Sequence, residues 1–202
     1  MHHKLKQRVY DANMALQTYG LVIFTWGNVS EIDRAAGVVA IKPSGVRYED
    51  LTAEAIVALD LDGHVVEGDM RPSSDTPTHI ELYRSFAGLG GICHTHSTYA
   101  TMWAQAQRDI PCLGTTHADH FYGPVPVTAT MTAAEIEEDY EANTGLVIVR
   151  RFKGMDPLQM PAVLVANHGP FTWGDSAMAS VKNAVVLEEV ARMAHGALTI
   201  NP

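Results

Sequence analysis

The chain has 202 residues, 47% of them hydrophobic and 18% charged, and its 14 basic and 23 acidic residues give a net charge of −9. This length and composition exclude a disordered chain and predict one domain over residues 1–202 that buries a sizeable core. The acidic balance, with no basic cluster larger than residues 150–153, excludes a nucleic-acid-binding surface, because neutralising phosphates needs a dense positive face.

Export and membrane insertion are not expected either. The sequence has no apolar run of the roughly 18 residues that a membrane span needs, and its first residues lack the apolar core of a secretory signal. It contains only two cysteines, Cys93 and Cys112, which excludes a disulfide scaffold. We therefore predict a cytoplasmic protein that does not bind membranes.

The first third of the chain predicts one helix followed by short strands. Apolar residues at helical spacing predict a helix from residue 5 to about 18, which Gly20 ends. Asp62-Gly63 is a two-residue hairpin signal that leads to a strand at Val65. The other predictions here are strands at 21–24, 38–41 and 56–61, a turn between strands at 25–30, and a short helix from Thr52.

The rest of the chain predicts further helices and strands. Residues 72–77 hold several N-cap candidates and a proline, so we expect a helix from there to about Phe86. Gly88, Gly90 and Gly91 predict a tight turn before a buried strand that ends at His94. The remaining predictions are a helix from Ser97 to about 106, a helix from a capping box at Thr132 to Gly145, strands at 147–152 and 162–166, and a helix from Asp175 to about 194.

This order of elements predicts the class of fold. Strands and helices do not alternate strictly, and hairpin signals occur beside longer crossovers, which indicates a mixed, largely antiparallel sheet with helices on its faces. No GxGxxG follows a strand and no GxxxxGK[ST] occurs, so a doubly wound nucleotide-binding fold is not expected.

Three histidines stand out because each lies at or near the end of a predicted strand. His94 and His96 are two residues apart, so on a strand they share a face with about 7 Å between their Cα atoms. With His168 they would form the three-imidazole set of a catalytic zinc site. An HxH pair is also common as two surface or hydrogen-bonded histidines. Asp75, at a predicted helix start, is either a further site carboxylate or a helix N-cap.

Several polar segments suit an anion. Ser44-Gly45 and Ser73-Ser74 are hydroxyl-bearing segments at a turn and at a helix start, where backbone amides can bind phosphate. Each is equally a common turn or cap sequence, and Asn28 and Lys42 are ambiguous by themselves. Asp119 lies in a polar loop and is either an acid/base group or a solvated carboxylate.

Six segments occur together in a characteristic order. They are TWGNVS at 25–30, IKPSGV at 41–46, PSSDT at 72–76, HTHS at 94–97, GTTHAD at 114–119 and HGPF at 168–171. Jointly they resemble the L-ribulose-5-phosphate 4-epimerases of the class II aldolase/adducin family. The resemblance runs from about Leu5 to the end of the sequence.

The resemblance implies a three-layer α/β/α fold and a homotetramer with its sites between subunits. It implies one zinc ion per subunit and a small sugar phosphate as substrate. Residue by residue, it implies metal ligation by His94, His96 and His168 with Asp75 beside them. It implies substrate binding by Gly27, Asn28, Lys42, Ser44, Gly45, Ser73 and Ser74. It also implies acid/base catalysis by Asp119, which serves either its own subunit or a neighbouring one.

The same resemblance separates three alternatives. The implied reaction converts L-ribulose 5-phosphate to D-xylulose 5-phosphate by retro-aldol cleavage and re-formation of the C3–C4 bond. The sugar-phosphate aldolases resemble this sequence in the histidines but usually have Glu where Asp75 stands, and an adducin-like binding module would have lost the metal ligands. The family also carries an acid/base tyrosine in a C-terminal tail, and no tyrosine of the 202 residues matches it.

Overall fold

The computed structural model describes residues 2–201, which form one seven-stranded sheet and six α-helices. The strands are β1 (Asn28–Asp33), β2 (Val38–Ile41), β3 (Val57–Asp60), β4 (Val65–Glu67), β5 (Gly91–His94), β6 (Ala162–Leu164) and β7 (Pro170–Gly174). The helices are α1 (His3–Thr18), α2 (Thr76–Ser85), α3 (Thr98–Gln105), α4 (Thr115–Ala118), α5 (Ala133–Arg151) and α6 (Ala177–Ile200). A single 3₁₀ turn spans Tyr48–Asp50.

The sheet is antiparallel throughout its paired strands. The strand order is β4-β3-β2-β1-β5-β7-β6, and each neighbouring pair is antiparallel. A single parallel bridge joins Val127 to Leu164 beside β6. The expectation of a mostly antiparallel sheet is therefore confirmed. Among residues 2–201 this bridge is the one parallel pairing.

Helices cover both faces of the sheet. Cys93 packs with Leu16 of α1 and Val181 of α6, whereas its neighbour Ile92 packs with Leu82 of α2 and Ile148 of α5. Because successive side chains of a strand point to opposite faces, the two helix pairs lie on opposite sides of the sheet. This confirms the three-layer α/β/α fold. No helix within residues 2–201 is both long and apolar enough to cross a membrane.

Two of the predicted strands are wrong. Residues 21–24 form an irregular loop that leads to β1, and the backbone of Phe24 is left-handed, with φ of 57°. Residues 147–151 continue α5, because Gly145 does not end that helix, and Phe152 is its C-cap. Gly145 instead lets α5 approach α2: a Cβ at this position would lie 2.7 Å from Cβ of Glu81.

Two strands were not predicted, namely β7 and β1, which begins inside the turn predicted at 25–30. The other differences are smaller. The predicted helix from Thr52 is a turn. The strand β7 begins at Pro170, where the sequence indicated only the end of the strand predicted at 162–166. The final helix continues to Ile200 rather than to about 194. The capping box at Thr132 is confirmed: its hydroxyl accepts from the Glu135 amide, and the Glu135 carboxylate accepts from the Thr132 amide.

Candidate active site

The three histidines that the sequence singled out come together at the ends of β5 and β6. The Nε2 atoms of His94 and His96 are 3.0 Å apart, and the ring centroids of His94 and His168 are 4.7 Å apart. One nitrogen of each imidazole lies within 4.8 Å of the others, so the three can share one metal ion. His94 is buried, His168 is half-buried and His96 is exposed, which leaves one side of the group open.

Local backbone geometry explains how His168 reaches the other two. The turn between β6 and β7 contains Asn167 in a left-handed conformation, with φ of 63°. The glycine two residues later, Gly169, packs directly on the end of β5, where a Cβ would lie 2.8 Å from the carbonyl oxygen of Thr95. Any larger residue at position 169 would therefore push His168 away from β5.

The His94 ring is held on two sides. Its Nδ1 lies 2.9 Å from the carbonyl oxygen of Pro170, and the ring of Phe171 stacks on it at 4.2 Å. Because a carbonyl only accepts, Nδ1 carries the proton and Nε2 keeps its lone pair for a ligand.

Burial favours the neutral imidazole form of His96 and His168. Burial, followed by repulsion from the neighbouring histidines, lowers the pKa of His168 to about 3, and burial and His94 lower the pKa of His96 to about 4. Neutral imidazole is the form that binds metal ions, so these two shifts favour ligation through His96 and His168.

Asp75 lies beside the histidines and does not cap its helix through its side chain. Although it occupies the N-cap position of α2, it makes no side-chain capping bond. Its carboxylate instead accepts a charge-assisted hydrogen bond of 2.6 Å from Nδ2 of Asn28. Burial opposes ionisation of Asp75, but nearby His94 and His79 and the Asn28 bond outweigh it and hold its pKa below the usual value. The carboxylate lies outside the group of mutually close metal donors.

A cavity of about 430 Å³ opens in front of the histidines. Three of its lining residues are His94, His96 and His168, and Asp75 is a fourth. Every residue predicted to bind substrate also lines it, namely Gly27, Asn28, Lys42, Ser44, Gly45, Ser73 and Ser74. The cavity therefore brings together all predicted metal and substrate residues, although they come from five separate segments of the chain.

The two serine segments are neighbours because their backbones pair. The Ser44 amide donates to the carbonyl oxygen of Arg71, and the Ser73 amide donates to that of Lys42. A bridge between Pro43 and Pro72 lies between these bonds. The small hydroxyl residues thus form one continuous wall of the cavity, which we call the serine wall (Ser44, Gly45, Ser73 and Ser74).

Lys42 is buried, and its ammonium group bonds to the protein itself. Its Nζ donates to the carbonyl oxygen of Val46 at 2.7 Å, with longer contacts to Thr25 and Pro43, and lies 4.9 Å from the centre of the Tyr48 ring. Burial lowers the pKa of Lys42 to about 8. These bonds join the loop at Thr25 to the loop at Val46.

Asp119 is the predicted site residue that one chain does not bring to the cavity. It follows the short helix α4 at an exposed position and is absent from the cavity lining. The resemblance implies acid/base catalysis by this carboxylate in its own or a neighbouring subunit, and that role stays a prediction.

Comparison with known proteins identifies the family of the chain. The family of the class II aldolase and adducin N-terminal domain matches residues 7–195. The chain belongs to the class II aldolase/adducin family.

Several solved structures share the fold of this chain. An L-fuculose 1-phosphate aldolase superposes with a TM-score of 0.86 at 26% identity, over 98% of this chain and 88% of that one. YgbL from Klebsiella pneumoniae, a candidate aldolase, epimerase or decarboxylase, superposes with a TM-score of 0.76 at 25% identity, over 96% of this chain and 89% of that one. The L-fuculose-1-phosphate aldolase of Thermus thermophilus shares the fold, with a TM-score of 0.76 at 24% identity. This superposition covers 100% of this chain and 99% of that one.

Two residues that line the cavity lie outside all six segments that carried the resemblance, and nothing in the sequence predicted them as site residues. Tyr140 and Glu141 line it, and the Tyr140 ring lies 5.7 Å from that of His168. The helical pattern of residues 132–145 indicates no break, so it predicts an uninterrupted helix and no site residue there. The structure interrupts α5 at Asp139, just before these two side chains.

Proposed function

We propose that this protein is an L-ribulose-5-phosphate 4-epimerase, which converts L-ribulose 5-phosphate to D-xylulose 5-phosphate. The observation that carries the proposal is the Asp75 carboxylate, fixed by Asn28 at 2.6 Å beside the three histidines in the cavity. The aldolases that the sequence resembles usually have a longer glutamate at this position, which acts as a proton-transfer base. The shorter, hydrogen-bonded aspartate favours a supporting role at a metal ion instead.

We further propose that His94, His96 and His168 hold a zinc ion, with Asp75 beside them. The donor set fits, because the three imidazoles are close together, burial favours the neutral form of His96 and His168, and buried Nδ1 of His168 has no hydrogen-bond partner within residues 2–201. When bound, a divalent ion of this kind acts as a Lewis acid toward carbonyl and hydroxyl oxygens of the substrate.

The proposed reaction follows from the position of the stereocentre. The C4 hydrogen of the ketose is not α to the C2 carbonyl, so simple proton abstraction at C4 is unfavourable. A base instead removes the proton of the C4 hydroxyl, the C3–C4 bond breaks, and its electron pair stays on C3. The fragments are the enediolate of dihydroxyacetone and glycolaldehyde phosphate. After the aldehyde rotates, C3 attacks its other face, and an acid returns a proton to the C4 oxygen.

The serine wall is proposed as the phosphate site. Ser44 and Gly45 at a turn, and Ser73 and Ser74 just before α2, offer hydroxyls and backbone amides, and the N-terminus of α2 favours an anion. A phosphate held there tethers the aldehyde fragment while it rotates, which keeps re-formation of the bond intramolecular.

Proton transfer must occur on both faces of the aldehyde, and we propose Asp119 as one of the two groups. Its exposed position outside its own cavity supports a role in the cavity of another copy, in a homotetramer. Cys93 and Cys112 are both free thiols, which supports a cytoplasmic location.

The test supplies L-ribulose 5-phosphate to protein of known metal content and detects D-xylulose 5-phosphate in a coupled assay. Zinc together with epimer formation supports the proposal. Release of free aldehyde and ketone as the main products would instead identify a class II aldolase. Absence of both metal and turnover would identify a binding module.

The aldolase is the second candidate, and the specific observation in its favour is the similarity to an L-fuculose 1-phosphate aldolase over 98% of this chain. The same histidines and serine wall would serve it, since a retro-aldol step is common to both reactions. The two differ in whether the aldehyde leaves, which the product assay measures directly.

A further inference from the structure

The break in α5 places a tyrosine at the cavity. The helix starts with its capping box, and Asp139 then adopts extended backbone with φ of −162° and ψ of 92°. A second helical segment starts there, because the Asp139 carboxylate accepts from the amide of Ala142 at 3.0 Å, as an N-cap does. Tyr140 is the first residue of this segment.

Tyr140 is held in place by bonds to the backbone around it. The hydroxyl of Thr144 donates to the carbonyl oxygen of Tyr140 at 2.8 Å. The next carbonyl, that of Glu141, accepts from the hydroxyl of Thr78 in α2 at 2.5 Å. Since α2 also carries Asp75 at its start, the segment that holds Tyr140 is tied to the helix that positions the carboxylate.

The Tyr140 side chain lies over part of the histidine group. Its ring is half-buried, tilted by 43° to the ring of His168 and 5.7 Å from it, and it lines the cavity together with Trp26. Trp26 lies against His96 with 6.0 Å between ring centroids.

We propose that Tyr140 is a specificity-determining residue that keeps the aldehyde fragment in the cavity between bond cleavage and bond re-formation. An epimerase and an aldolase perform the same cleavage, and only retention of the aldehyde separates their products. A flat ring on a rigid helical segment gives the fragment a wall to turn against, while the phosphate remains tethered at the serine wall. This inference rests on the proposed function and names the residue that determines whether the aldehyde is retained or released.

The experiment compares the metal-loaded wild type with Tyr140→Ala and Tyr140→Phe. The measured quantity is free glycolaldehyde phosphate released for each D-xylulose 5-phosphate formed. We expect this ratio to rise about tenfold in Tyr140→Ala, because a half-buried aromatic contact is lost, and to change less than about twofold in Tyr140→Phe, which keeps the ring. Tyr19→Ala removes an exposed tyrosine at the end of α1 and is the matched control.

A second readout does not depend on turnover. Calorimetry on metal-free protein measures the Kd of glycolaldehyde phosphate, which we expect to be about tenfold higher in Tyr140→Ala than in Tyr140→Phe. If Tyr140→Ala does not fold, Tyr140→Leu replaces it, because it keeps apolar volume without the flat ring. An unchanged release ratio and an unchanged Kd in the folded variant would overturn the proposal.

Failure of the proposed function has a different signature. If the wild type releases the aldehyde as its main product, or does not act on L-ribulose 5-phosphate, the epimerase proposal fails whatever Tyr140 does. The calorimetric comparison of Tyr140→Ala with Tyr140→Phe then still decides whether the ring contributes to aldehyde binding.

Discussion

The side-chain amide of Asn28 donates a 2.6 Å hydrogen bond to the carboxylate of Asp75, which joins the first residue of β1 to the start of α2. The same amide lies 3.1 Å from the hydroxyl oxygen of Ser73. One residue therefore orients the carboxylate beside the histidines and a hydroxyl of the proposed phosphate site. This double contact gives Asn28 a role that its position in the sequence did not reveal.

Replacing Asn28 tests that contact. Asn28→Ala leaves the buried carboxylate without its donor, so we expect metal affinity to fall about tenfold or more, as for other groups that orient a metal site. A competition titration with a chelator measures it. Asn183→Ala is the control, because it removes an amide of α6 that bonds to the Trp173 carbonyl. Equal metal affinities in the two variants would remove Asn28 from the site.

The histidine ligands are tested by metal content. His96→Ala removes one of three clustered donors, so we expect loss of stoichiometric zinc and of activity. His64→Ala is a matched control, because His64 lies with Asp60 and Asp62 in an exposed group at the β3–β4 hairpin that has similar donor spacing. Metal retained by His96→Ala and lost by His64→Ala would reverse the assignment.

Asp119 calls for a test between subunits. Asp119→Asn should keep its metal but turn over about 10²-fold more slowly, because a general acid/base group is lost. If its carboxylate serves another copy, unfolding and refolding Asp119→Asn together with His96→Ala should restore part of the activity, since some mixed sites hold both native residues. Activity of the mixture no higher than that of its separate components would place Asp119 outside a shared site.

The lowered pKa of Lys42 predicts that the free energy of unfolding changes with pH in the alkaline range. Its pKa is about 8 in the folded protein and 10.5 ordinarily, so between these values the unfolded chain binds more protons than the folded one. The free energy of unfolding of the wild type should therefore rise with pH from 8 to 10.5 relative to that of Lys42→Met. Urea titrations across this range measure the difference.

Lys182→Met, at an exposed position of α6, provides the control for removing one positive charge. If the wild type and Lys42→Met change in parallel from pH 8 to 10.5, the burial of the ammonium group does not affect stability as proposed.

Gly91 is required by close packing at the start of β5. The sequence indicates a tight turn here, but a Cβ on Gly91 would lie 2.3 Å from backbone atoms of Ser176 and Ala177, where α6 begins. Gly91→Ala should lower the free energy of unfolding by about 3 kcal/mol or prevent folding, because two backbones must separate. Gly196→Ala, with open space at its Cβ position in α6, should be neutral or stabilising by up to about 1 kcal/mol. Similar denaturant midpoints for both variants would contradict this account.

Local sequence patterns were sufficient for some elements and not for others. The helical spacing before Gly20, the capping box at Thr132 and the Asp62-Gly63 hairpin each act within a few residues, and all three are confirmed. The pattern at 147–152 predicts a strand because Val147, Ile148 and Val149 have high β propensity. The structure makes these residues helical, since Val147 and Ile148 join the core that α2 and α5 share.

By itself, the sequence determined which residue types were available for the site, namely strand-end histidines, a carboxylate at a helix start and small hydroxyl residues at turns. Their order also determined the family. Only the tertiary structure decided that His168 meets His94 across a glycine turn, that Lys42 bonds loop carbonyls, and that Tyr140 reaches the cavity past a break in α5. The physical reason is that these contacts join residues far apart in the chain, so the packing of whole helices and strands sets them, and no local propensity encodes them.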